Sequence, residues 1–270
     1  AEKGVVGADS AAAKAGIGVQ VYFGSSQSKR EEHQQRATVS GTNLQAKSID
    51  LTATETDLTL VGAKVEAERV ALTAARDVLL TAAANTAEVQ GKSSGSSFGG
   101  GVTFSFGGTQ NGLSFQLNAS RMQGKKNGHE TVWDNTLVTA TESLRVTSGR
   151  DTTLSGAQVA GKSVLFDVGG QLLIESLQDR THYEDKQRSS GFSISVCVPP
   201  ICAGAPVTGS VGGSSQTIKH HYRSTVGQSG IAAGEGGFDL SVKGHTELVG
   251  AALTSTAAAD KNRLSTQSLA

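Results

Sequence analysis

One stretch of nineteen residues recurs along this chain at a constant spacing of 94 residues, and this repeat limits the possible folds more than any other feature. The first copy begins at Gly62, the second at Gly156, and a partial third at Gly250. A chain that repeats its apolar positions in this way is built from one structural unit used several times. The equivalent apolar residues of the first two copies are Val65 and Val159, Val70 and Val164, Leu72 and Phe166, Val78 and Leu172, and Leu80 and Ile174.

The first copy alone is compatible with a helix, because Ala, Glu, Arg and Leu are good helix formers. The second copy places Gly169, Gly170 and several β-branched residues at matching positions, which favours short strands and a bend. Two-residue alternation of apolar and polar side chains, as at Ile49 and Leu51, is typical of strands. Comparison of the copies therefore selects strands.

Short alternating strands return about every 20 residues, separated by small and polar corners. This period is typical of solenoids, in which each turn stacks on the previous one and buries a continuous core. The chain has only three prolines, which suits a fold rich in strands. The sequence predicts an all-β fold, a parallel β-helix that forms a single solenoid segment of a longer chain, with repeat units at about 17–82, 98–175 and 191–268.

Each unit is interrupted by an excursion that is expected to form a β-hairpin arm. The arms are placed at about 17–36, 98–130 and 191–226, and the outgoing strand of the first is expected at Ile17 to Phe23. In the middle arm, two alternating runs flank a turn of sequence Gly-Gly-Thr-Gln-Asn-Gly. The apolar residues predicted to make contacts on one face of the arms are Val102, Phe104, Phe106, Leu113, Phe115, Leu117, Phe192, Ile194 and Val196.

Two roles for the arms remain open at this stage. They can fold back and cover one side of the solenoid, or they can add strands to a membrane or to the sheet of another chain. The alternating runs contain five to seven residues, whereas a membrane-spanning strand needs about 9 to 11. The shortfall favours the first role.

The charge balance excludes one class of partner. Lys and Arg number 24, as do Asp and Glu, so the chain as a whole has no field of one sign for nucleic acid or an anionic membrane. We therefore predict no nucleic-acid partner.

The two cysteines, Cys197 and Cys202, lie in the sequence Cys-Val-Pro-Pro-Ile-Cys at the expected tip of the third arm. Two thiols cannot complete a zinc site, so a local disulfide in an oxidising compartment is predicted. The six histidines show no metal-ligand spacing, and no metal or cofactor is predicted.

A carbohydrate-active β-helical enzyme is the catalytic alternative, because such enzymes use paired carboxylates on one face. The corner acids Asp57, Asp77 and Asp151 could line up in a ladder, but the repeat replaces Asp77 by Gln171 and Asp151 by His245. The acids are not retained where a repeated site would keep them. We predict no catalytic residue and no enzyme.

The turns of about 20 residues, together with arms such as Ser-Ser-Gly-Phe-Ser-Ile-Ser-Val and a His-containing return strand, resemble the haemagglutinin-repeat region of filamentous haemagglutinins and contact-dependent growth inhibition exoproteins. These are two-partner secretion proteins of Gram-negative bacteria. The resemblance covers nearly all of the chain from about Gly16 and implies a right-handed parallel β-helix. It carries over no functional residue, because the family pattern is structural.

The resemblance also implies a role, a location and partners. An internal segment of a secreted, cell-surface fibre is expected, one that helps a C-terminal toxin to cross the outer membrane of the target cell. The alternative is the rod of a haemagglutinin-type adhesin that contacts an adhesion receptor. An outer-membrane transporter would secrete the parent chain.

Overall fold

The computed structural model describes residues 17–106, 112–199 and 206–270, which are almost entirely β-strand, as predicted. The described residues contain one 3-10 turn, Ala259–Lys261, and no helix with the length and apolarity to cross a membrane. The chain forms two compact units. Their described parts are a rung unit (36–87, 129–181 and 221–270) and an arm unit (17–35, 88–128 and 182–220).

The rung unit contains two parallel sheets, and the chain alternates between them. We call one strand of the first sheet and the following strand of the second a rung. The first sheet comprises β2 (Asn43–Gln45), β3 (Ser48–Ala53), β5 (Lys64–Ala74), β9 (Thr136–Ser148), β11 (Ala157–Val168), β15 (Gly230–Val242), β17 (Ala252–Ser255) and β18 (Arg263–Ser265). The second comprises β4 (Leu58–Val61), β6 (Val78–Thr81), β10 (Thr152–Ser155), β12 (Leu172–Glu175), β16 (His245–Val249) and β19 (Ser268–Leu269).

Inward-facing residues of successive rungs form columns in the core. Val65 pairs in register with Val138, which pairs with Val159 and then Ile231. All four are at most 1% exposed, and both sheets contribute to the same apolar core. Val65 and Val159, equivalent in the 94-residue repeat, therefore lie two rungs apart in one column.

One corner in every second rung depends on a glycine with positive φ. Gly62, Gly156 and Gly250 have φ values of 56°, 64° and 61°, and they are the equivalent glycines of the repeat. L-residues with side chains rarely adopt this conformation. At Gly156, a Cβ atom would also lie 2.5 Å from the Cβ of Ala82.

A buried hydroxyl marks two places where the chain re-enters the rungs after an arm, Thr136 and Ser229. The Thr136 hydroxyl accepts a hydrogen bond from the Ala63 N–H (3.1 Å) and donates one to the Thr81 carbonyl (2.6 Å). In the next repeat, the Ser229 hydroxyl accepts from the Ala157 N–H at 3.1 Å. Both residues are 0% exposed, so water cannot replace these bonds.

The corner acids do form a ladder, but their carboxylates bind backbone groups of the next rung. Asp57 accepts the N–H of Asp77 (3.1 Å), Asp77 that of Asp151 (3.1 Å), and Asp151 that of Gln171 (2.7 Å). Arg150 adds a two-pronged contact to Asp77, with distances of 3.0 Å from Nε and 2.5 Å from Nη2. The acids therefore join neighbouring corners.

The arms differ in extent from the sequence prediction. Their strands are β1 (Ile17–Ala37), β7 (Ala83–Phe106), β8 (Gly112–Asp134), β13 (Asp179–Cys197) and β14 (Val207–Ser224). The predicted first arm at 17–36 was wrong as a hairpin, because residues 17–37 form one continuous strand. The Gly-Ser and charged residues after Phe23, interpreted as a turn and a return segment, continue the alternation without a break. Most of the predicted turn of the middle arm, at 107–111, lies outside the described residues.

Substitution of Thr136 by Val should destabilise the rung unit. The change keeps the β-branched shape but leaves the Ala63 N–H and the Thr81 carbonyl without their buried partner. We expect a loss of about 1–3 kcal/mol in the free energy of unfolding, measured by urea denaturation. Thr139→Val, at an exposed position of the same strand, is the control and should change stability by less than about 0.5 kcal/mol. Equal effects of the two changes would contradict the assigned role.

The Asp77 carboxylate should make stability depend on acid pH. The Arg150 guanidinium, and next the Asp151 N–H, lower the pKa of Asp77 below its ordinary value. Its contribution to stability is therefore present above the aspartate pKa of the unfolded chain, about 3.9, and disappears as the pH falls through the lower folded pKa. Asp77→Asn should lower the thermal midpoint at neutral pH, and the difference from the unchanged protein should shrink on acidification.

Asp167→Asn is the matched control, because Asp167 is exposed on β11 and forms no salt bridge among the described residues. A midpoint difference for Asp77→Asn that does not shrink in acid would show that the ion pair is not its cause.

Candidate functional site: the arm sheet

The five arm strands form one antiparallel sheet in the order β1, β7, β8, β13, β14. Side-chain contacts fix its register. The hydroxyls of Ser97 and Ser120 are 2.7 Å apart, as are those of Ser193 and Ser210. A Cβ atom placed on Gly101 would lie 3.3 Å from the Cα of Tyr22, and one on Gly124 would meet the side chains of Ser93 and Gln187, which aligns the remaining strand pairs.

One side of the sheet, which we call the Tyr22 face, is polar and depends on glycines in β7. Tyr22 of β1 lies over Gly99, where a Cβ would be only 2.0 Å from the tyrosine oxygen, and its hydroxyl reaches Asn118 of β8 at 2.9 Å. Lys126 of β8 similarly passes over Gly91 to bind Glu32 of β1 at 3.2 Å. Because Gly91 and Gly99 of β7 have no side chains, residues of β1 and β8, the strands on either side of β7, contact each other across it.

The cations on the Tyr22 face are paired with Glu32. Glu32 accepts hydrogen bonds from Gln34 (2.7 Å), Lys126 (3.2 Å) and Arg30 (3.0 Å). These three donors, Gln34 first, lower the pKa of Glu32 to about 2. Glu32 therefore stays ionised and neutralises the cations around it.

The opposite side, the Phe115 face, carries apolar residues in successive rows across the sheet. The exposed large apolar residues among them range from 38% exposed for Val196 to 89% for Val211. Exposed contiguous apolar surface of this kind marks an interaction site. From the register, three rows are Ser25, Phe98, Ala119, Phe192 and Val211; Phe23, Gly100, Leu117, Ile194 and Gly209; and Val21, Val102, Phe115, Val196 and Val207.

All nine residues predicted as contacts lie on this single face, because each belongs to the matching alternate positions of β7, β8 or β13. Two of them, Phe104 and Phe106, make an edge-to-face ring contact with centroids 4.7 Å apart. Val19, Val21 and Phe23 of β1 join the same face. Their alternation was visible in the sequence, but the pairing of β1 with β7 was not.

Cys197 ends β13 and is 4% exposed. It is not a free thiol. Cys202 lies outside the described residues, so the predicted pairing of the two cysteines stays a prediction.

The Phe115 face also carries most of the cations of the arm unit. Residues 17–35, 88–128 and 182–220 contain nine Lys and Arg and five Asp and Glu, and seven of the cations but only three of the acids occupy this face. The balanced composition of the whole chain conceals this asymmetry. Assigning the charged residues of each strand to its two alternating faces could have revealed this asymmetry from the sequence.

Three of these cations form one row across three adjacent strands, and a fourth, Lys29 of β1, lies in the next row. Tyr22 lies opposite Gly101, so counting nine residues from this pair places Glu31 beside Lys92, and counting five from Ser97–Ser120 places Lys92 beside Lys125. Counting one from Gly124–Gln187 places Lys125 beside Lys186. All four line one open concavity of about 500 Å³. We call Lys92, Lys125 and Lys186, with Lys29 next to them, the lysine row.

Other chemistry has little support in the described part of the chain. No group of three or more His, Cys, Asp or Glu side chains there could hold a metal ion. The corner acids bind backbone N–H groups of neighbouring rungs, and Asp77 also binds Arg150. The arm sheet is therefore the best-defined candidate for a functional surface.

Comparison with known proteins agrees with the repeat architecture. A family model described as "Hemagglutinin repeat" matches residues 23–192. The chain is 41% identical over 273 residues to Toxin CdiA of Escherichia coli, 36% over 261 residues to tRNA nuclease CdiA of Escherichia coli strain NC101, and 40% over 262 residues to Deoxyribonuclease CdiA of Yersinia pseudotuberculosis serotype O:3 strain YPIII.

These matches cover 94%, 93% and 94% of this chain but only 8%, 8% and 24% of the relatives. The chain thus corresponds to a small part of much longer proteins. No solved structure matches significantly. From the family model, the relatives and the repeated rungs, we conclude that the chain belongs to the hemagglutinin-repeat family, as part of the repeat region of two-partner secretion exoproteins of the CdiA type.

Proposed function

We propose that this chain is a non-enzymatic structural segment of a large secreted exoprotein, and that it helps to deliver a C-terminal toxin across the outer membrane of a target cell in contact-dependent growth inhibition. The observation that carries the proposal is the exposed apolar Phe115 face, in a chain related to CdiA toxins over most of its length. A purely structural rod needs no such face.

For the rung unit we propose a right-handed parallel β-helix. The chain alternates between two parallel sheets, and side chains from both fill one core. Crossovers between parallel strands of the same sheet are right-handed in nearly all proteins. This architecture suits a long fibre, because each rung can stack on another.

The absence of an enzymatic role is supported by the relatives. Proteins named tRNA nuclease and deoxyribonuclease match nearly the same share of this chain, at 36% and 40% identity. A region shared by proteins with different nuclease names does not determine which nucleic acid is cut. We therefore assign nuclease activity to other parts of those proteins.

Contact with the target membrane follows from the arrangement of the Phe115 face. Phe23 is 72% exposed and Phe98 58%, and most of the exposed large apolar residues of the sheet lie on this side. A one-sided apolar surface is suited to lie in a membrane interface, with its polar side in water. We propose that the arm sheet contacts the outer membrane in this orientation.

The second candidate function is a rod that supports adhesion to a receptor, as in filamentous haemagglutinins. The matching family description favours it. In either case the parent protein would be displayed on the surface of a Gram-negative bacterium, after export by an outer-membrane transporter.

Replacing Phe115 and Phe192 together by Ser should weaken binding to phospholipid vesicles, measured by flotation. Both rings are exposed, at 46% and 40%, so the fold should persist. Burial of a Phe side chain is worth about 1.5–3 kcal/mol, and partial burial of two should make the loss at least about tenfold.

Val61→Ser with Val249→Ser is the control, because these valines are similarly exposed, at 45% and 46%, but belong to the rung unit. This variant should float like the unchanged protein. Failure of the unchanged protein to bind vesicles would overturn the proposed membrane contact and favour the adhesin rod.

A further inference from the structure

The lysine row places Lys92 opposite Lys125, and Lys125 opposite Lys186, with a single acid, Glu31, beside Lys92 at the end of the row. Glu31 also pairs with Lys29 at 2.6 Å, and Lys186 pairs with Glu184, one row away, at 3.0 Å. Neither Lys92 nor Lys125 forms a salt bridge within the part of the chain that the structure describes. Like charges directly opposite each other destabilise a sheet. The row therefore carries a cost that the fold itself does not require.

An anionic ligand would relieve this repulsion. Arg121 and Arg188 lie on the same face, within two rows of the lysines, and extend the positive surface. On the opposite face, by contrast, Glu32 already binds both Arg30 and Lys126. The unpaired cations are thus concentrated on the face that also carries the apolar rows.

The order of residues along the strands separates the two kinds of surface. Lys29 follows Phe23 by six residues, or about 20 Å at the rise of an extended strand. The five residues between them, 24–28, are all Gly, Ser or Gln. A ligand that covers the whole face must offer apolar groups at one end and negative charges at the other.

We propose that the Phe115 face docks on a lipid surface rich in net-negative phosphate headgroups, with the lysine row and its neighbouring arginines binding the phosphates. This inference rests on the proposed membrane contact and adds the headgroup chemistry. Juxtamembrane Lys and Arg residues are attracted to anionic leaflets in this manner.

Two other occupants fit less well. A second copy packed face to face in parallel alignment would bring its own lysines against these lysines. Nucleic acid would use the cations but would leave the exposed phenylalanine, leucine and valine rows without apolar partners. Charge and apolarity together favour the lipid surface.

The test compares flotation of the full chain with phosphatidylcholine vesicles and with vesicles that also contain phosphatidylglycerol. We expect tighter binding to the anionic vesicles and a loss of this preference at high salt, because exposed charges are screened. Lys92→Gln with Lys125→Gln should weaken binding to anionic vesicles by about fivefold for each charge removed and leave binding to phosphatidylcholine unchanged.

Lys64→Gln with Lys243→Gln is the charge-matched control, since both lysines are exposed residues of the rung unit. It should keep the anionic preference. The thermal midpoint of the Lys92 and Lys125 variant should be equal to or above that of the unchanged protein, because the opposed charges are gone. This measurement separates lost binding from lost folding.

The outcomes distinguish the two proposals. Equal binding to both vesicle types would overturn the role of the lysine row and leave the membrane contact intact. No binding to either would overturn both. A short DNA duplex can be added as a competitor of the vesicles. If it displaces them, and if its binding falls in the Lys92 and Lys125 variant as much as vesicle binding does, the lysine row is a general polyanion site and the lipid assignment is wrong.

Discussion

Backbone pairing between successive rungs is the constraint on which the rest of the structure depends. Val138 must lie beside Val65 although a whole arm separates them along the chain. The next pairing, of Val138 with Val159, joins residues only one rung apart in sequence. Parallel pairing allows both sequence separations, because each rung needs only the correct register with its neighbouring rung and a filled core. Arms can therefore be inserted at every second rung.

The junctions between rungs and arms explain the few buried polar groups. Where an arm returns, Thr136 or Ser229 provides a hydroxyl to a backbone N–H that would otherwise be unpaired. Where the chain turns without an arm, the equivalent corner uses Gly62, Gly156 or Gly250 in the left-handed conformation. Two local solutions thus alternate along the stack. Their alternation is the structural origin of a 94-residue repeat built from rungs of about 20 residues.

The core was predictable because inward residues repeat: Val65 and Val159 occupy one column, as the equivalence of the two copies indicates. The arm strands were harder. Residues 24–36 have few apolar side chains, so a strand pattern could not be distinguished from a solvated segment, and only pairing with β7 defines β1 as continuous.

The lysine row could not be found by composition. Lys29, Lys92, Lys125 and Lys186 are far apart in sequence, and acids elsewhere cancel their charge in any total. Their proximity requires the register of four strands. The nine apolar contact residues, by contrast, were identifiable within single strands, because alternation is a local property.

The strand order of the arm sheet has a consequence for how such proteins change in evolution. The pairs β1–β7 and β8–β13 join arms of different repeats, whereas only β7–β8 and β13–β14 are hairpins within one. A solitary arm would expose two long unpaired edges. Duplication of a whole repeat adds rungs and two matching strands together, and so extends both units without leaving an internal edge. Lengthening one arm alone leaves its added residues without neighbours. Arm length is therefore inherited by the array as a whole, while loop tips and outward side chains are free to diverge repeat by repeat.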